Sequence, residues 1–390
     1  KIYLLILITV IFLFCIAIKI ANKPKAQETN KEVHQWAKIA ILLGILVIFF
    51  SGIPFFAVQY QLKLSFPYDR LSLPMILGSC LLIIGACTLI FSNSMTRKIF
   101  LSIVIGFSIG AQFLNANAYR EDWDNLREFF WQLQWRVPDM EKETMLLTDK
   151  LPLNYYSDNS LSAPLNWIYE KPIENGQMPY ILNFLSVRLG NRIPNLEPNT
   201  SIDQYYRIVN FMGNTSNSLV LQYAPPCCVH ILDPELDKYN PSLSTELSAA
   251  IHLTNFERIL NKNQDKENNL PRFLGSEPAH NWCYYYEKAA LLQQLKKWNE
   301  IVILGETAFS LKDYPNDPIE RFPFIEAYAH NGDYPRALEL SKKTIEISPQ
   351  YSKMLCALWE RIKEASNIQS FPEELMGFLS TYPQCEWASE

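Results

Sequence analysis

Four stretches within the first 119 residues, 2–18, 39–58, 73–92 and 99–118, contain no charged side chain. A helix crossing the hydrocarbon core of a bilayer needs about 20 mostly apolar residues, because no water is present there to satisfy its backbone groups. Helices at the edge of a water-soluble core keep a polar side, and these have none. The four stretches are therefore read as membrane spans. Pro54 falls within the second and is expected to kink its outer end, which spanning helices tolerate. From residue 120 onward the chain changes character: nearly all the acidic residues and most of the 24 prolines lie there. Such asymmetry implies two solvents, lipid for 1–119 and water for 120–390.

Lysine and arginine in short loops favour the cytoplasmic side. The first loop carries Lys19, Lys23, Lys25, Lys31 and Lys38, and the third carries Arg97 and Lys98, whereas the second has only Lys63 and Arg70. The bias puts the first and third loops in the cytoplasm and everything after Tyr119 outside it, although Arg120 and Arg127 just beyond the last span reduce the contrast. The expected location is the plasma or inner membrane, with an extracytoplasmic soluble region. The chain opens on Lys1 and enters an apolar stretch at once, without the small residues of a signal-cleavage site around Cys15, so it reads as the C-terminal piece of a longer protein. In the second loop, Asp69 and Arg70 follow Pro67-Tyr68 at the rim of the third span. They read first as interfacial anchors, and second as an outer-loop contact for a lipid-linked substrate.

The soluble part opens at 120–138 with an amphipathic pattern: Trp123, Leu126, Phe130, Leu133 and Val137 recur at three- and four-residue steps, flanked by Trp131 and Trp135. Short apolar runs at 144–148, 218–224 and 228–232, separated by proline, asparagine and glycine, read as strands; 180–189, 202–212 and 243–260 read as helices. This mixture predicts an α/β domain over 120–260 and a polar linker over 261–278. Beyond it, 282–295 with 299–311, and 319–330 with 334–348, form two helix pairs related by 36 positions, followed by helices at 351–364 and 371–382. Ser370 and Glu373 have capping-box spacing at the start of the last.

The second pair resembles the tetratricopeptide repeat: Tyr328, Gly332, Tyr334, Ala337 and Pro349 stand at that family's spacing. The first pair follows it less closely, with Ala289, Ala308 and Trp298 in place but Lys296 where the family has glycine. The resemblance covers roughly 65 to 70 residues and implies a repeat domain over 279–390 that presents a surface to a protein partner. The expected fold class is thus membrane α-helical with about four spans, plus a soluble α/β domain, plus all-α tetratricopeptide-like helical repeats.

Chemistry is harder to find. Three of the eight cysteines lie in spans; of the rest, Cys227, Cys228, Cys283, Cys356 and Cys385, at most two disulfides can form in an oxidising compartment. Cys228 with Cys283 is one candidate pairing. A four-ligand metal reading of Cys228, His230, His280 and Cys283 also exists, without a standard ligand spacing. Buried, unpaired cysteines are the plainer alternative. Asp149, Tyr155, Tyr156 and Asp158 cluster just after the first strand, where an α/β domain places ligands, although a polar loop with packed tyrosines is the plainer explanation. No Gly-rich phosphate loop, Gly-x-Ser-x-Gly elbow or His-Glu-x2-His helix occurs, and no cofactor is evident. A net charge of −5 supplies no basic face for nucleic acid. Two roles remain. One is a membrane-anchored protein whose repeats bind a protein partner in the cell envelope. The other follows from a looser resemblance of layout to polytopic membrane glycosyltransferases of the GT-C type, which use polyprenyl-phosphate-linked sugars. That resemblance implies a catalytic acid upstream of Lys1, so no catalytic residue transfers onto this chain.

Overall fold

The computed structural model describes residues 30–59, 69–169, 175–206, 208–261, 270–366 and 371–388, arranged as two units, 1–121 and 122–390. The expected span 2–18 lies outside the described residues, as do 60–68 of the second loop, 262–269 of the linker and Ser370 of the capping box.

In the first unit, α1 (Asn30–Ala57) and α2 (Leu73–Ile90) lie against each other, and α3 (Ser94–Arg136) begins. All three are long and apolar enough to cross a membrane. Leu42, Phe49, Leu77 and Phe107 are exposed, as expected of side chains that face hydrocarbon rather than water. Small residues set the α1–α2 contact: a Cβ on Gly44 would stand 2.8 Å from the Gly78 carbonyl oxygen, and one on Gly78 would stand 2.7 Å from Ile48 Cγ1. Backbones meet this closely only where side chains are absent.

The second unit starts within α3, whose residues from Asp122 to Arg136 belong to it. Its centre is a four-stranded sheet in the order β3-β2-β6-β7, from β2 (Thr144–Thr148), β3 (Tyr180–Phe184), β6 (Ser218–Gln222) and β7 (His230–Ile231). The first three strands are parallel, with Leu146 opposite Leu182 on one side and Leu219 on the other; β7 runs antiparallel. Strands covered on both faces read as continuous apolar runs rather than alternating ones. Leu146, Leu182, Leu219 and Leu221 pack on one face against Phe129, Phe130 and Leu133 of α3 and Leu161 and Leu165 of α4 (Asp158–Tyr169). Met145, Leu147, Ile181 and Val220 pack on the other face with Ile202, Phe211 and Leu247.

Several expected helices are differently built. Residues 180–189 form β3 and a single turn, α5 (Leu185–Arg188), because Tyr180-Ile181-Leu182 is a buried strand run that periodicity cannot separate from a buried helix. Residues 202–212 fall in an antiparallel hairpin, β4 (Ser201–Tyr206) with β5 (Val209–Asn214): Ile202 and Gln204 point inward while Asp203 and Tyr205 point out. Residues 243–260 contain only α6 (Thr245–Ala250), capped by Ser244, then short turns and β8 (Ile259–Leu260), which pairs with β1 (Asp139–Met140). The expected strand 228–232 shortens to β7.

The C-terminal helices pair as α7 (Trp282–Gln294) with α8 (Trp298–Ala308), and α9 (Phe322–His330) with α10 (Tyr334–Ile347); α11 (Ser352–Ser366) and α12 (Glu373–Leu379) follow. Tyr328 and Ala337 are buried in the shared core, Tyr334 packs on Phe371, and Pro349 opens a short turn after α10. Gly332, between α9 and α10, has φ +79°, and Lys296, 36 positions earlier between α7 and α8, has φ +55°. Both pairs therefore close through a left-handed residue, which costs a non-glycine side chain about 1 kcal/mol. Lys296→Gly is expected to stabilise the second unit by up to that amount, read as a higher denaturation midpoint; an unchanged or lower midpoint contradicts it.

These helices do not stand apart from the sheet. Segment 226–240 lies across the first helices of the pairs. Cys228 is disulfide-bonded to Cys283 of α7, and its amide donates to Glu320 Oε1 at 2.9 Å. His230 meets Tyr286 of α7, Asp233 pairs with Arg361 of α11 at 2.6 Å, and Leu236 belongs to the helical core. A second disulfide joins Cys356 and Cys385, leaving Cys227 as a thiol.

Candidate functional site

Two polar regions of the second unit meet at α3. The first is at the carboxyl ends of the parallel strands. From β2 the chain goes to β3 on one side, while β6 lies on the other, and ligands of open α/β sheets bind at such switch points. The loop after β2 is held from α3: the buried Asp122 carboxylate accepts from the amides of Asn154, at 2.8 Å, and Tyr155, at 2.6 Å, and from the Asn154 side chain. One turn on, Asn125 donates to the Pro152 carbonyl. Ser157 and Ser160 then cap α4 reciprocally.

Of the four sequence candidates in this loop, Asp158 is locked inside and the other three stay half-buried around the loop. Asp158 forms an ion pair with Arg188 at the end of α5 and accepts from the Tyr206 hydroxyl at 3.4 Å. Gln204 donates to that hydroxyl at 2.5 Å and exchanges hydrogen bonds with Asn183 at 3.2 Å. Burial, then the neighbouring Asp158 carboxylate, push the Tyr206 phenol up to about 12, so it remains a donor at neutral pH. Asp149 accepts from the Lys150 amide, and Tyr156 packs its ring on Phe184, 4.8 Å between centroids. Arg188, Tyr206, Gln204 and Asn183 gave no signal in sequence, since the contacts that tie Arg188 and Tyr206 to Asp158 and Gln204 to Asn183 span 21 to 48 positions. Asp69 and Arg70 belong to the first unit, exposed in a turn (Asp69–Ser72) before α2, where Asp69 accepts from the Arg70 amide.

The second region is a groove of about 410 Å³ along another face of α3. Asp124, Glu128, Trp131 and Trp135 follow at three- and four-residue steps, joined by Arg127 and Gln132, and Pro278, Ala279 and Asn281 form the facing wall. Residues 274–281 are laid along the helix by its side chains: Arg127 Nε and Trp131 Nε1 both donate to the Leu274 carbonyl, and Trp135 Nε1 donates to Glu277. Gln132, buried at the base, accepts from the Val229 amide and donates to Glu128. At the rim are two carboxylates and one guanidinium, with Arg127 4.0 Å from Asp124. Indole edges below hydrogen-bonding acids suit a neutral, hydroxylated ligand; this rim has no excess of cations for a phosphate.

Deeper still is a chain of buried ionisable groups. His230 Nε2 donates to Asp237 at 2.8 Å, and Nδ1 accepts from Tyr286 at 2.7 Å in the tautomer the carboxylate selects. Burial works against protonating His230, but Asp237, with Asp317 and Asp233 behind it, outweighs that and raises it. Glu287, with no exposed surface and neither carboxylate oxygen hydrogen-bonded, is pushed well up by burial although Arg136 pulls it back. The metal reading of the two cysteines and two histidines is not built. Both sulfurs are in the disulfide, His280 stacks on Tyr284, and no metal-holding group of three or more occurs among the described residues. No family model, curated protein or solved structure matches the chain.

Proposed function

We propose that the chain is part of a multi-pass membrane protein whose second unit, outside the cytoplasm, holds the sugar portion of an envelope substrate in the groove along α3. The observation that carries this reading is the pairing of Asp124, Glu128 and Arg127 with the Trp131 and Trp135 indoles around about 410 Å³, a volume in the usual ligand range. Three helices long and apolar enough to span a bilayer, the lysine-rich first loop and two disulfides fit an extracytoplasmic placement. In this reading the protein is a glycosyltransferase of the polytopic type, taking a polyprenyl-phosphate-linked sugar. Asp69 and Arg70 serve as an outer-loop contact, and the Asp149, Tyr155, Tyr156 and Asp158 loop, anchored to α3 through Asp122, is a second candidate ligand loop.

Partner binding through the tetratricopeptide-like helices is the second reading, and segment 226–240 narrows it. The face shared by the first helices is covered by the chain's own residues. A protein partner is left the second helices, where Ile303 of α8 and Ile347 of α10 are exposed.

The test is binding of polyprenyl-phosphate hexoses to the membrane-reconstituted protein. Asp124→Asn and Glu128→Gln are each expected to weaken it about tenfold, the loss of one charge-assisted hydrogen bond. Both side chains are exposed, so the melting temperature should stay put. Equal affinity in wild type and both variants, or no hexose binding at all, removes the groove from the proposal.

A further inference from the structure

Three aromatic rings of the second unit meet at its surface and take no part in lining the groove. Trp167, near the end of α4, is 67% exposed and stacks on the half-buried Phe273, with 5.9 Å between centroids and 30° between planes. Trp123, in the part of α3 that belongs to this unit, is 45% exposed and approaches the same ring at 6.2 Å. Apolar side chains exposed one at a time are ordinary on a protein surface, but a contiguous set marks a contact.

What the rings take is set by what they border. Trp123 precedes Arg127 of the groove by about one helical turn, a rise of roughly 5.4 Å. Phe273 precedes Leu274, whose carbonyl accepts from both Arg127 and Trp131. Rings and groove therefore adjoin along Arg127 and the 273–275 backbone. Gly275 keeps this border open: it has φ +69°, and a Cβ there would overlap the Arg127 guanidinium. The two sides differ in chemistry. The groove carries carboxylates and a guanidinium, which read the hydroxyl groups of a ligand. The ring cluster presents aromatic faces and edges instead. The C–H face of a pyranose packs on the negative face of an indole whatever its hydroxyl pattern.

We infer that Trp123, Phe273 and Trp167 form an extension subsite, which stacks a second sugar unit beside the one held in the groove, so that the ligand is an oligosaccharide rather than a single hexose. The inference rests on the sugar-binding reading of the groove and adds length to its ligand. The groove selects the sugar by its hydroxyl groups, and the rings favour a chain that continues past it.

The test titrates the membrane-reconstituted full chain with polyprenyl-phosphate glucose, galactose and mannose, each with and without a second hexose on the same carrier. The readout is the ratio of the monosaccharide to the disaccharide dissociation constant, measured for the wild type, Trp167→Ala and Trp167→Phe. The wild-type ratio should be about 5, the size of one ring-stacking contact. It should fall to unity in Trp167→Ala and stay above unity in Trp167→Phe. Trp167 is mostly exposed, so the melting temperature should hold in both variants. A wild-type ratio of unity with the hexose bound overturns the subsite and leaves the groove reading standing. So does a wild-type ratio that Trp167→Ala leaves unchanged, which would leave the rings to a protein partner. Absence of hexose binding overturns both.

Discussion

Replacing Cys228 and Cys283 together by alanine should lower the stability of the second unit by about 4 kcal/mol, the loop-closure entropy released when a cross-link 55 residues apart is lost. The corresponding fall in melting temperature is on the order of 10 °C for a unit of this size. The effect is concentrated because this bond ties the strand-end segment 226–240 to α7, and the two share the helical core with Leu236 and Trp282. The measurement is a thermal melt of the detergent-solubilised protein with the Cys356–Cys385 bond intact. A shift under 2 °C would mean that the noncovalent contacts of 226–240 alone hold the two parts together.

Glu320 is the other point where a single change has a large expected cost. Its carboxylate accepts from the buried Cys228 amide at 2.9 Å and Trp282 indole at 2.8 Å, and from the amide of the exposed Asn316 at 3.0 Å. Alanine there leaves the buried Cys228 amide and Trp282 indole without an acceptor, a loss on the order of 4 kcal/mol. The same residue predicts a pH dependence. Burial raises Glu320 from an ordinary 4.5 to about 7, against the pull of its hydrogen bonds. The folded state therefore binds a proton more tightly than the unfolded chain. The associated stability is complete below about pH 4.5 and is lost as pH rises through 7, an amount of roughly 3 kcal/mol. Glu320→Gln keeps an acceptor oxygen and removes the titration, so its melting temperature should change less between pH 5 and 7.5 than that of the wild type. Parallel pH profiles for the two proteins would show that another group dominates in this window.

What could be read in advance follows from the range of the interactions involved. Charge-free runs of 20 residues and helix pairs 36 positions apart are local patterns, and the described residues contain helices at those places. The sheet was half legible. Thr144–Thr148 reads as a strand by itself, but Tyr180–Phe184 declares itself only through its pairing with β2. The β4–β5 alternation was masked by Tyr205, Ile208 and Met212, large side chains left exposed on the outer face and tip of the hairpin. The strand-end cluster was legible as a loop, through Asp149 to Asp158, but not as a network. Arg188 and Tyr206 reach Asp158 from 30 and 48 residues away. The groove was invisible for the opposite reason. Asp124, Glu128, Trp131 and Trp135 are an ordinary helical stripe until residues 274–281 are laid beside them.

The covering of α7 and α11 by segment 226–240 sets an order of events during synthesis. Residues 122–240 are made while their partners are still untranslated: Cys228 waits 55 residues for Cys283, and Asp233 waits 128 for Arg361. Until then Leu236 and the Cys228 thiol lack the helical partners they have in the folded unit. The last helices thus act as a completion signal for everything before them. A chain stopped short of α11 would lack the Arg361 partner of Asp233 and leave the second unit unfinished.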